Sequence, residues 1–186
     1  MKLIRTPLEG VVLIEPTIHS DIRGYFVETY HKLKLEEAGL NYDFVQDNQS
    51  FSVSPGTLRG LHYQLNPKPM TKLVKVLHGA IYDVAVDIRH GSPTFGKYVG
   101  AILTSDNQRQ LLIPRGFAHG LCTLVPNTVV TYKIDQFYDA SLDRALAWDD
   151  PKININWPVG DPIVSEKDAR APQLNEAEIN FTLGKA

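Results

Sequence analysis

Along most of the chain, apolar side chains alternate with polar ones in short runs bounded by Gly, Pro, Asn and Asp. Period-two alternation of this kind marks strands with one buried face. It predicts strands at "GVVLIEP", "RGYFVETY", "FVQDNQSFSV", "TLRGLHYQL", "YVGAILTS", "RQLLIP", "HGLCTLV", "TVVTYKIDQFY" and "ALAWDD". The clearest pattern is "KLVKVLHGAIYDVAVDIR", 72 to 89, where Tyr82, Val84, Val86 and Ile88 share one face and Ile81, Asp83, Ala85 and Asp87 the other. Between its halves His78-Gly79 reads as a hairpin turn, since glycine supplies a positive φ without strain. About ten short strands with few helices predict an all-β, closed or double-sheet architecture that limits exposed edges.

Helical periodicity is confined to "HKLKLEEAG", 31 to 39, where Leu33, Leu35 and Ala38 accompany strong helix formers and Gly39 offers a stop. Past Trp157 the chain reads as loop with a helical turn at "SEKDA". There Ser165 is the expected cap, and Glu166 and Asp168 suit the positive end of the turn.

Composition narrows the function classes. With 186 residues the chain is expected to form one domain, spanning 1–186. The 19 Lys and Arg against 21 Asp and Glu contain no block of like charge, so nucleic acid and membrane surfaces are poor partners. The single cysteine, Cys122, lies in the apolar run "GLCTLV" and is expected to be a buried thiol, as suits a reducing compartment. The amino-terminal apolar run before Glu15 is too short for a signal peptide or a membrane span. A cytoplasmic location is expected.

Polar residues crowd "DIRGYFVE", "QDNQS", "LRGLHYQ", "IPRGFAHG" and "YKIDQFY", each on or beside an apolar strand. Polar faces turned into a barrel make a ligand cavity. No GxGxxG or GxxxxGK[ST] is present, so a phosphorylated ligand falls to side chains such as Arg23, Arg59 and Lys72. Strict alternation puts Leu58, Gly60, His62 and Gln64 on one face and Arg59 on the other, unless Gly60 marks a bulge. Taken singly, His62, His119 and Tyr132 fit either a packed core or a site, and Asp168 fits a helix cap.

Together these segments resemble the cupin superfamily of small β-barrels, whose motifs read G(x)5HxH followed by a Glu, and PxGxxH. Gly56 to His62 keeps the first spacing and "PRGFAH", 114 to 119, the second. Gln64 replaces the second histidine, and Lys72 stands where a ligating carboxylate is expected. A cation there repels a divalent ion, and two imidazoles fall short of a ligand set, so no metal is expected.

Across nearly the whole chain, "DIRGYFVE", "QDNQSFS", "GTLRGLHYQ", "GSPTFG", "IPRGFAHG", "YKIDQFY", "WDD", "INWP" and "SEKD" resemble the dTDP-4-dehydrorhamnose 3,5-epimerases in order and spacing. The resemblance implies a cupin-like jelly roll that inverts carbons 3 and 5 of a dTDP-4-keto-6-deoxyhexose, with no cofactor. It implies His62 as base, Asp168 as its orienting partner, Tyr132 as acid and Lys72 as the group that meets the enolate oxygen. It assigns substrate binding to Arg23, Phe26, Glu28, Gln46, Asn48, Arg59, His119, Asp143 and Lys167, and stacking on thymine to Tyr138. Asp143 and Lys167 stand where the family often has Glu and Arg. The resemblance also implies a homodimer that exchanges a strand around residues 21–30. Relatives that invert only carbon 3 or carbon 5, a metal-dependent cupin oxygenase and a sugar-nucleotide-binding barrel are the alternatives.

Overall fold

The computed structural model describes residues 1–184. Alternating strands bury two opposite sets of side chains, and the chain resolves this by stacking two antiparallel sheets. The first has the spatial order β1 (Lys2–Arg5), β2 (Val12–Glu15), β10 (Gln110–Ile113), β7 (Lys72–His78), β12 (Thr128–Ile134), β5 (Gln46–Ser52). The second runs β13 (Asp143–Ala145), β6 (Leu58–Gln64), β11 (Phe117–Thr123), β8 (Ala80–Asp87), β9 (Tyr98–Thr104). This is the jelly-roll form of the double-sheet architecture. A separate ribbon joins β3 (Ile18–Asp21) to β4 (Gly24–Val27).

Three apolar layers follow from the alternation. Between the sheets, Val74, Val76, Leu111 and Val130 of the first meet Ile81, Ala85, Leu103 and Leu121 of the second. The opposite face of the second sheet buries Leu61, Tyr63, Val84 and Val86 under Trp157, Leu174 and Phe181 of the carboxy-terminal segment. The outer face of the first sheet packs Ile14, Leu73 and Leu112 against Leu35 of α1 (Lys32–Glu37). The expected helix is present, with His31 as its N-cap and Gly39 at φ +81° just beyond its end.

The hairpin expected at His78-Gly79 is not one. β7 and β8 belong to different sheets, and the glycine turns the chain from one sheet to the other. Both strands carry apolar sets that face the central layer, so they look at each other across it instead of pairing side by side. Gly79, at φ +88°, is required there because a Cβ would stand 2.5 Å from Thr128 Oγ1. β1 and β3 are strands that the sequence pattern does not announce. The "ALAWDD" strand is displaced to Asp143–Ala145, because Asp150 is buried in a turn that its carboxylate holds. That carboxylate accepts from the N–H groups of Lys152 (2.7 Å), Ile153 (3.0 Å) and Leu174 (2.7 Å).

Candidate active site

One irregularity in β6 decides which residues reach the interior. Leu58 pairs with Cys122, Arg59 with Leu121 and His62 with His119, so Gly60 and Leu61 together oppose Gly120. The extra residue reverses the alternation. Leu58 joins the outer layer with Leu61 and Tyr63, while Arg59 comes to the face of His62. The shared face expected for Leu58 and His62 is thereby corrected. Gly60 has φ +120°, and a Cβ on it would stand 2.6 Å from both Gly120 Cα and His119 O.

Beneath this bulge a cavity of about 490 Å³ opens between the sheets, a size typical of small-ligand sites. Arg59, His62 and His119 come from the second sheet, Lys72 and Tyr132 from the first, and Lys167 and Asp168 from α2 (Glu166–Ala169). Asp168 Oδ1 lies 2.7 Å from His62 Nε2, and Asp168 Oδ2 accepts from the Gly60 N–H at 3.2 Å. The helix cap runs the other way, with the Asp168 N–H donating to Ser165 Oγ at 3.1 Å. Burial alone would raise the pKa of Asp168. The hydrogen bond and charge of His62 and the Gly60 N–H outweigh that and hold the carboxyl below its ordinary value.

Lys72 Nζ donates to the His62 carbonyl oxygen at 3.4 Å. Its burial brings the pKa down to about 8, against the opposing pull of Asp143 and Asp83. Burial raises the phenol of Tyr132, with Arg59 opposing. His119 Nε2 meets Asp83 Oδ1 at 2.8 Å, and burial, aided by Lys72 and His62, lowers the pKa of that imidazole against the pull of Asp83. Arg59 donates to the Phe51 carbonyl oxygen (3.2 Å) and Ser52 Oγ (3.3 Å).

The other expected residues divide. At the rim Asp143 pairs with Lys167 and accepts from Tyr138 Oη at 3.3 Å, while Tyr138 stays exposed. Gln46 Nε2 donates to Asn48 Oδ1 at 2.8 Å, and Asn48 pairs across the ladder with Tyr132, which places both on the cavity side of β5. Arg23, Phe26 and Glu28 do not reach this cavity. They sit on or beside the β3–β4 ribbon, where Arg23 pairs with Asp21 and Glu28 with Lys34. Gln64 serves structure: its Nε2 donates to the Lys68 and Phe137 carbonyls and its Oε1 accepts from the Asp139 N–H. Asp83 is the residue that sequence reasoning overlooked, although a carboxylate between Ile81 and Ala85 on an apolar face was the signal.

A family model described as dTDP-4-dehydrorhamnose 3,5-epimerase matches residues 5–176. A Shigella flexneri protein of that name is 46% identical over 179 residues, 96% of this chain and 98% of its own length. A Bacillus anthracis enzyme of that name, solved with TDP and PPi bound, superposes with a TM-score of 0.91 at 52% identity, covering 92% of this chain and 98% of the other. A dTDP-6-deoxy-D-glucose-3,5-epimerase from Legionella pneumophila, in complex with dTDP-4-keto-L-rhamnose, gives 0.90 at 45% identity, covering 94% and 93%. The cavity, its histidine–aspartate pair and these matches agree: the chain belongs to the dTDP-4-dehydrorhamnose 3,5-epimerase family.

Proposed function

We propose that this protein inverts carbons 3 and 5 of dTDP-4-dehydro-6-deoxy-D-glucose to give dTDP-4-dehydro-L-rhamnose, with His62 as base and Tyr132 as acid. The observation that carries this reading is the placement of the two groups. His62 stands on the second sheet and Tyr132 on the first, on opposite walls of one cavity. Inversion at carbon needs that arrangement, a base on one face of the ring and a proton donor on the other.

Both carbons flank the ketone at carbon 4, so loss of either proton leaves an enolate with its charge on the carbonyl oxygen. An ionised Asp168 accepts from Nε2–H of His62, which leaves Nδ1 to take the proton. Lys72 shares the wall of Tyr132 and makes no ion pair among the described residues, so its charge is free for the enolate oxygen. A phenol with a raised pKa keeps its proton at neutral pH and can deliver it. A double mutant of a Streptomyces bikiniensis 3'-monoepimerase, histidine to asparagine and tyrosine to phenylalanine, alters positions as far apart as His62 and Tyr132.

The donors present do not suit a divalent metal. Lys72 brings a cation into the cavity, Gln64 is engaged elsewhere, and among the described residues no group of three His, Cys, Asp or Glu side chains could hold an ion. Chemistry of this kind calls for no redox cofactor. Arg59, His119, Asp143, Lys167, Gln46 and Asn48 are the binding groups nearest the cavity, and exposed Tyr138 offers a ring for thymine to stack on.

The ribbon supports a homodimer. Among the described residues β3 and β4 pair only with each other, and Ile22, Tyr25 and Phe26 are exposed. A lone two-stranded ribbon is marginal in water. Laid into a second copy, it would bring Arg23, Phe26 and Glu28 to the partner's cavity. Among the described residues no helix is long and apolar enough to cross a membrane, and a biosynthetic enzyme of this family is expected in the cytoplasm. Proton NMR of the sugar product tests the proposal. Inverted configuration at both carbons is expected, and inversion at one carbon alone would assign the narrower reaction.

A further inference from the structure

Asp83 is a fully buried carboxylate whose neighbours are apolar. On β8 it shares a face with Ile81 and Ala85, and across the ladders it lies opposite Leu121 of β11 and Ala101 of β9. Stability alone would favour an aliphatic side chain there, since a buried carboxylate is costly unless its oxygens are paired. Asp87, on the same face of the strand, shows what a structural carboxylate looks like here. It accepts from Arg89 Nε (2.9 Å) and Nη2 (2.8 Å), Ser92 Oγ (2.6 Å) and Thr94 Oγ1 (2.7 Å). Among the described residues Asp83 has one partner, His119 Nε2, and its Oδ2 has none.

Among the described residues, His119 is the one route by which Asp83 touches the cavity. It pairs directly with His62 across the ladder and lines the same cavity. With Nε2 engaged by Asp83, Nδ1 has no partner among the described residues, yet it is not among the sealed polar atoms. A positive ring at 119 is opposed by Lys72 in the same cavity. We propose that Asp83 is a positioning residue, which fixes His119 as the neutral Nε2–H tautomer so that Nδ1 accepts a hydrogen bond from a hydroxyl of the bound sugar. This rests on the epimerase reading and adds to it a residue that acts only through another.

Nitrogen-15 NMR of histidine-labelled protein, with the His119 resonances assigned from a His119→Gln variant, reads the tautomer without substrate. The expected signature is a protonated Nε2 and an unprotonated Nδ1 at neutral pH. The reverse tautomer or an imidazolium overturns the proposal, and this arm stands even where a variant does not fold. In Asp83→Asn the amide can either donate or accept, so the signature should become mixed and kcat/KM should fall about tenfold while affinity for dTDP alone is unchanged. In the His119→Gln background the same substitution should change kcat/KM less than about twofold. An Asp83→Asn variant with wild-type kcat/KM, or one whose loss persists in full beside His119→Gln, contradicts the proposal. Failure of the epimerase reading is seen separately, as wild-type protein that forms no inverted product.

Discussion

Asp168 Oδ1 lies 2.7 Å from His62 Nε2 across 106 positions of sequence. The helix cap uses the Asp168 main-chain N–H and leaves the carboxylate free to orient the imidazole. Asp168→Asn should therefore keep the fold and the affinity for dTDP while turnover falls between about 100- and 10,000-fold. Steady-state kinetics beside calorimetric dTDP binding check this. Equal losses in binding and turnover would make Asp168 a binding residue.

Lys72 should link activity and stability to pH with opposite signs. Its burial brings the pKa down to about 8, so kcat/KM should decline as pH rises through that value and the charge is lost. In the unfolded chain a lysine keeps its proton up to about 10.4. Between the two values the unfolded state binds more protons, so the stability against unfolding rises with pH. Lys72→Met should weaken both trends and lower kcat/KM about 100-fold. Urea unfolding and kinetics from pH 7 to 10 provide the comparison, and unchanged slopes in the variant would remove Lys72 from both roles.

Gly60 holds the bulge that brings Arg59 to the face of His62. A methyl group at this position meets backbone on the facing strand at 2.6 Å and is strained at φ +120°. Gly60→Ala should cost about 3 kcal/mol or more of stability and reduce activity further by shifting His62 against Asp168. A variant with wild-type stability in urea would show that the strand accommodates the extra carbon.

The ribbon makes a prediction about mixed dimers. Arg23→Ala and His62→Ala variants should each be inactive, since one would lack the ribbon's contact with the partner's cavity and the other the proposed base. In a heterodimer of the two, one cavity receives an intact His62 and an intact partner arm. Co-expressed heterodimers should recover about half the wild-type activity. No recovery would mean that each ribbon serves its own chain, and an active Arg23→Ala variant would mean that the ribbon serves no site.

Much of this candidate site was legible because its residues sit on strands with strong alternation. His62, His119, Lys72 and Tyr132 fall in motifs whose spacing survives folding, and the two sheets then bring them to one cavity. Local pattern failed where long-range packing decides. The alternation around Gly79 is the same for a hairpin and for a crossing between sheets, and only the shared central layer selects the crossing. The face of Arg59 turned on one extra residue at Gly60, which alternation could flag but not resolve. Asp83 was visible as a charge on an apolar face, yet its partner His119 is distant in sequence and enters through the β8–β11 ladder.

Solvent deuterium exchange tests the division of labour between His62 and Tyr132 most directly. In deuterated water Tyr132→Phe should still exchange deuterium into at least one of carbons 3 and 5, because the enolate forms and recovers a proton from the His62 side. Its yield of inverted product should fall by about 100-fold or more. His62→Ala should lose exchange and inversion together, since no base remains. A Tyr132→Phe variant that loses exchange as completely as His62→Ala, or that keeps full inversion, contradicts the assignment of base and acid.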